Sequence, residues 1–479
     1  MINLNSLFRS AFVYTLLGFL PMASAFVLTP IFTKYLSPEE YGVIALSNVF
    51  QSFLSIFIAI GIDAAFTRFY FKYNKHIITR ALLSTALICI LSFSAIFYVL
   101  FIFVGEYVFK ISFNVSGFTF NEFGQYIFIT TTFACAYSII SQYYRDTENL
   151  KSFSWLAVIY FVLVTSGSYT GVVIMGLGAK GSVIGKMIGT FITMILYLFI
   201  FFSKTGFIFK KKYAIQMYIY GYPLVIYALL ATTFDSIDKL FLSKYFKLSE
   251  LGQYNLAFVI ASTIGIILNS MQAATSPNIY KLLNSNEENN HEQINKIYRY
   301  IIIATLFIIV SCIALSYPLL NYYINERYQS AIIYVPFLSL AFLARAYFMI
   351  YSNPLFFHGK TLYLPLINGI SVVIGLAANY ILIKQFGIIG VSISVLVIKL
   401  SQAFLTFLVI KKTLLYNKIE YQLNQVHALS FIVIFSVVIT NSDIIPDINN
   451  VKIKYIVPVL TFLMFFLISI IQNSKNKTQ

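Results

Sequence analysis

The chain has 479 residues, of which 59% are apolar and only 10% charged, where a soluble globular chain carries about 25% charged. Its net charge of +16 is scattered over many short segments, which excludes the single basic domain of a nucleic-acid binder. The composition is that of an integral membrane protein, and the segments between apolar runs are too short to hold a soluble catalytic domain.

A bilayer-spanning helix needs about 20 predominantly apolar residues. Fourteen such runs are expected, at 12–33, 43–62, 81–104, 123–142, 156–178, 182–203, 218–242, 252–276, 299–320, 331–350, 361–383, 390–410, 428–441 and 454–471. The first is too long for the apolar part of a cleavable signal and reads as a retained anchor. The thirteenth is short, and losing it would reverse the side of the carboxyl terminus. Most Lys and Arg fall in alternate segments: Arg9; Arg68, Lys72, Lys75 and Arg80; Arg145 and Lys151; Lys204 and Lys210 to Lys212; Lys281, Lys296 and Arg299; Lys360; Lys411, Lys412 and Lys418; Lys475 and Lys477. Cytoplasmic loops retain such an excess, so both termini are expected in the cytoplasm. Cys89, Cys135 and Cys312 lie in apolar runs and read as small buried side chains. The four histidines are dispersed. Neither a metal site, a cofactor site nor a catalytic residue is expected.

Two stretches recur half a chain apart. FTKYLSPEEYG at 32–42 aligns without gaps with LSKYFKLSELG at 242–252, and GLGAKGSVI at 176–184 aligns with QFGIIGVSI at 385–393. The nearly equal offsets predict an all-α polytopic protein of two six-helix lobes, residues 1–212 and 213–413, with an added helix pair and tail at 414–479. Six is even, so the lobes are parallel, related by an axis along the membrane normal. Pro21 and Pro223, each with a nearby glycine, sit inside the first helix of each lobe, where a missing backbone donor makes a hinge or a static kink.

FTKYLSPEEYGVIALSN, AAFTRFYFKY and DKLFLSKYFKLSELGQYNLAF resemble the Wzx-type O-antigen and polysaccharide flippases of the multidrug/oligosaccharidyl-lipid/polysaccharide exporter superfamily. The resemblance implies a V-shaped pair of lobes in the bacterial inner membrane. It further implies alternating access that moves an undecaprenyl-pyrophosphate-linked oligosaccharide between leaflets, with membrane lipids and other polysaccharide assembly proteins as partners. A drug or cation antiporter of the same superfamily is the runner-up. A polytopic polysaccharide polymerase or ligase would want a large outer loop with acid-base residues, and the largest here, 105–122 and 236–251, are short.

Ionisable groups inside spans are costly and mark function. Lys186, Arg345 and Lys399 are such cations, and with Arg68 they are the candidate pyrophosphate ligands. In the repeat register Lys399 matches Thr190, one turn from Lys186, so the two lysines fall on equivalent faces. The competing readings are interfacial anchoring for Lys186 and Arg345, and a solvated loop for Arg68. Asp235 and Asp238, beside Lys239, are either an ion-coupling site or a local salt-bridged helix end. Asn48, Gln51, Asn269 and Gln272 either bind sugar hydroxyls or join helices.

Overall fold

The computed structural model describes residues 20–73, 76–113, 117–205, 208–284, 290–413 and 423–441, with positions 17, 115, 421, 458, 459 and 461–463. Its long helices are α1 (Leu20–Tyr35), α2 (Pro38–Ala59), α3 (Ile62–Tyr73), α4 (His76–Ser112), α5 (Gln125–Asp146), α6 (Leu150–Tyr169), α7 (Gly178–Thr205), α8 (Lys211–Tyr245), α9 (Leu248–Asn284), α10 (Asn290–Tyr322), α11 (Val335–Phe357), α12 (Tyr363–Lys412) and α13 (Asn424–Asn441). No strand occurs among the described residues. Among the described residues ten helical segments are long and apolar enough to cross a membrane. One of them, α12, carries two of the expected runs across a break at Gly387. The described part of the first run lies in α1 and the thirteenth run lies in α13, while the fourteenth falls largely outside the described residues.

The polarity of the helices is that of a chain solvated by lipid. Phe103 and Phe199 are 82% and 75% exposed, whereas Thr85, Thr131 and Thr406 are fully buried. Each of these threonines donates its hydroxyl to the carbonyl four residues earlier, Ala81, Ile127 and Gln402, at 2.6 to 2.7 Å. A hydroxyl satisfied by its own helix can be buried at little cost.

The chain divides into two compact units, Met1–Gly252 and Gln253–Gln479. In the first, α6 and α7 form the closest hairpin. A Cβ on Gly167 would lie 2.4 Å from the Gly185 carbonyl oxygen, and one on Gly171 would lie 2.1 Å from that of Gly181. Glycines four apart on both helices thus bring the backbones together, the small-residue packing of membrane helices. In the second unit α10 and α11 build the core with Ile302, Ile309, Leu340 and Ile350. Val433 and Val437 of α13 belong to that core, and Tyr347 bridges to it by hydrogen bonds with Ser430 Oγ at 2.9 Å and His427 Nδ1 at 3.0 Å.

The first repeated stretch is a helix start written twice. Ser37 Oγ accepts from the Glu40 N–H at 3.3 Å while Glu40 Oε2 accepts from the Ser37 N–H at 2.9 Å, a reciprocal cap on α2 that satisfies two otherwise orphaned donors. In the second copy Glu250 Oε2 accepts from the Lys247 N–H at 3.0 Å. The reach-back of the carboxylate is therefore kept where the hydroxyl is not. Within the first unit Gly42 and Gly252 face one another: a Cβ on Gly42 would meet the Leu248 carbonyl oxygen at 2.4 Å. The second repeated stretch carries a turn. Gly178 and its aligned partner Gly387 adopt φ of 58° and 57°, the left-handed conformation that glycine takes without steric cost.

One element was not expected. AAFTRFYFKY, read as a loop, is most of α3, a 12-residue helix. Ile62, Ala65, Phe66 and Phe69 are buried while Ala64, Arg68, Phe71 and Lys72 are exposed, the spacing of a one-sided amphipathic helix.

Candidate functional site

A cavity of about 710 Å³ opens in the first unit among α2, α3, α5 and α8. Gln51, Ser55, Ile56 and Ala59 of α2 form one wall, Thr131, Ala134, Cys135 and Ser138 of α5 a second, and Tyr220, Leu224, Val225, Tyr227 and Ala228 of α8 a third. Gly61 and Asp63 close one end. The walls are apolar with hydroxyls and one amide set into them, the pattern by which a pocket holds a largely apolar ligand and orients it through a few polar contacts.

Local sequence explains this wall. Ile60 and Gly61 both take positive φ, 45° and 68°, turning the chain from α2 into α3. A Cβ on Gly221 would lie 2.2 Å from the Ile60 carbonyl oxygen, so α8 rests directly on the turn. Tyr73 Oη donates to Gln216 Oε1 at 2.9 Å, and the Arg68 guanidinium lies 4.4 Å from the centre of the Tyr220 ring. Arg68 is exposed and reaches the cavity through that ring, as a cation over an aromatic face.

Lys186 of α7 adjoins the same cavity from its other end. Its ammonium donates to Gln51 Oε1 at 2.6 Å and to Asn48 Oδ1 at 3.2 Å. Gln51 lines the large cavity and also a small chamber that holds Lys186, Asn48, Ser47 and Thr130. Eight residues separate Gln51 from Ala59, about 12 Å along α2. The cavity thus runs between a lysine-backed amide and the Asp63, Arg68 and Tyr220 group.

The other expected site residues lie elsewhere. Arg345, half-buried on α11, donates to Asn269 Oδ1 of α9 at 2.9 Å within the second unit. Lys399 is half-buried on the second arm of α12. One turn on, Gln402 Nε2 donates to Asn368 Oδ1 at 2.8 Å. Asp235 is exposed and Asp238 buried at the far end of α8, and both act electrostatically on Lys239. Neither lines the cavity. Pro223 lies inside α8 with its ring exposed. Pro21 is helical in backbone at the start of α1, and its side chain lies outside the described residues. No cluster of three metal-ligating side chains occurs among the described residues. Sequence reading overlooked Asp63, Tyr220 and Tyr227 as wall residues. The signal for Tyr220 was the glycine beside it, which marks where α8 comes close to another backbone.

The described residues thus make a polytopic all-helical membrane chain with a walled cavity and amide-held cations. The family described as "Polysaccharide biosynthesis protein" matches residues 7–283, more than half of the chain, and the MatE family matches residues 223–381. The chain belongs to the polysaccharide biosynthesis protein family. Its fold is similar to that of the lipid II flippase MurJ in an inward closed conformation, with a TM-score of 0.71 at 14% identity over 98% of this chain and 100% of that one. It is similar too to an inward-facing multidrug resistance MATE family transporter, with a TM-score of 0.67 at 16% identity over 84% of this chain and 98% of that one. A superfamily transporter from Pyrococcus furiosus, described as having a binding pocket of reverse polarity, gives 0.59 at 13% identity over 86% and 96%. Comparison with curated proteins finds no match.

Proposed function

We propose that the protein is a flippase that carries an undecaprenyl-pyrophosphate-linked oligosaccharide, an O-antigen or capsule repeat unit, across the bacterial inner membrane by alternating access. The observation that carries this reading is the cavity of the first unit, whose apolar walls, scattered hydroxyls and amide backed by Lys186 suit a ligand that is part sugar and part anion. Membership of a polysaccharide biosynthesis family supports it, and so does a fold shared with a lipid II flippase. The lobes at 1–212 and 213–413 are the repeating units of the mechanism. Arg68, Lys186, Arg345 and Lys399 form its cationic path, Asp235 and Asp238 its coupling site to an ion gradient, and Pro21 and Pro223 its hinges. Other polysaccharide assembly proteins are its partners.

The test is a translocation assay in proteoliposomes with a defined fluorescent undecaprenyl-pyrophosphate oligosaccharide, read by quenching of the label on one leaflet. Purified protein accelerates loss of protection on this reading. An unchanged rate, together with ion-driven uptake of a cationic dye, would instead establish the drug or cation antiporter reading, which the likeness to a multidrug transporter favours.

A further inference from the structure

The sequence singled out Lys186 as a direct ligand for an anion, but Gln51 is the residue that lines both the cavity and the chamber of Lys186. An ammonium group offers three donors and no acceptor. The amide atom 2.6 Å from Lys186 Nζ is therefore the oxygen of Gln51, and the oxygen of Asn48 takes a second ammonium hydrogen at 3.2 Å. Because Asn48 and Gln51 lie one turn apart on α2, a single lysine fixes both side chains. A carboxamide is planar, so an oxygen held toward Lys186 turns the –NH₂ group of Gln51 away from it. Among the described residues Gln51 Nε2 makes no hydrogen bond.

From this we infer that Gln51 is the residue that contacts ligand in the cavity, presenting an N–H donor to a pyrophosphate oxygen, and that Lys186 is a positioning residue that locks the amide in the donor-forward orientation. Without the lysine the amide is free to rotate by half a turn and present its oxygen, which repels the same anion. With it, the cavity is selective for acceptors, and the positive charge one bond behind the amide strengthens the donor. The inference rests on the proposed function for the identity of the ligand.

The test is a double-mutant cycle on binding of undecaprenyl pyrophosphate to the purified full-length protein in detergent, with thermal unfolding midpoints measured for every variant. Lys186→Met and Gln51→Leu are each expected to weaken binding about tenfold, the worth of one hydrogen bond to a charged group. The double variant is expected to lose about tenfold as well, because each change removes the same contact. Lys186→Arg, still donor-only, keeps near-normal affinity. Gln51→Glu, which holds Lys186 as an ion pair and so keeps the fold, loses at least as much as Gln51→Leu. A hundredfold loss in the double variant would mean that Lys186 touches the ligand itself, and normal affinity in Gln51→Leu would mean that the amide does not. Either result overturns this inference while leaving the flippase reading intact. Failure of the unaltered protein to bind the probe overturns both.

Discussion

Amide side chains hold one interior cation in each unit: Asn48 and Gln51 hold Lys186, and Asn269 holds Arg345. The depth and scarcity of those cations were legible in sequence, because charge in an apolar run stands out. Their partners were not, because an amide five helices away in the chain, or two, gives no periodic signal. The repeat was equally legible, yet its meaning needed torsion angles and neighbours. Gly178 and Gly387 share their φ but not their surroundings: a Cβ on Gly178 would sit 1.8 Å from Glu40 Oε1, whereas one on Gly387 meets nothing within 4 Å. Gly387→Ala is therefore expected to cost only the backbone strain of a side chain at φ 57° and ψ −137°, on the order of 1 to 3 kcal/mol, whereas in Gly178→Ala Glu40 must also leave its place. Thermal unfolding of the two variants in one detergent checks the order. At Lys399, Lys399→Ala is expected to abolish transport, Lys399→Arg to keep part of it, and Lys399→Glu to be worst, since it sets a negative charge against an anionic ligand. Surface polysaccharide measured at equal protein level decides this, and normal polysaccharide with Lys399→Ala removes Lys399 from the path.

Helix starts and stops show what an apolar-run reading sees and misses. It found the long helices because about 20 apolar residues have few other fates, but passed over α3, whose 12 residues are too few to span and whose Arg68 and Lys72 resemble a loop. The buried Ile62, Ala65, Phe66 and Phe69 were spaced for a helix all along. The two copies of the cap differ in a way that is open to measurement. Glu40 accepts both from Ser37 and, through Oε1, from the Ala179 N–H at 3.3 Å, tying α2 to the start of α7, while Glu250 serves as a cap on Lys247. Glu250→Ala is expected to cost about 1 kcal/mol, the usual loss of a cap, and Glu40→Ala about twice that, since a second donor is left behind. Equal shifts in unfolding midpoint would show that the Ala179 contact adds nothing. For α8, Pro223 withholds a donor from the carbonyl one turn back, next to the place where Gly221 rests on the α2–α3 turn. Pro223→Ala restores that bond and is expected to slow transport at unchanged expression. Transport at the normal rate would make Pro223 a packing feature.

Repeat register and packing divide the whole molecule at different points, near 213 and between Gly252 and Gln253 respectively. The helix that separates them is α8, which packs against α2, α3 and α4 of the first unit although its sequence opens the second repeat. Gly221 on the Ile60–Gly61 turn and the Tyr73 to Gln216 bond account for that attachment, and neither contact is visible in an alignment of the halves. Helix ends also test the side of the membrane assigned to each loop. Lys72 lies in the last turn of α3 and Lys211 begins α8, both exposed, on the side expected to face the cytoplasm; Lys110 near the far end of α4 and Lys247 in the connection between α8 and α9, also exposed, lie on the side expected to face outward. Placed one at a time in a variant whose Cys89, Cys135 and Cys312 are replaced by serine or alanine, cysteines at 110 and 247 are expected to react with a membrane-impermeant maleimide in spheroplasts. Those at 72 and 211 should react only after permeabilisation. The positive-inside bias is a statement about charge in short loops, so it stands or falls on these four positions together. Labelling of 72 and 211 from outside would invert the topology, and with it the direction of transport assigned to the cavity. A reporter active only in the periplasm and fused after Gln479 is expected to stay silent. If it gives full signal while the four cysteines behave as expected, the error lies beyond α12, at the short thirteenth run, and the two units keep their orientation.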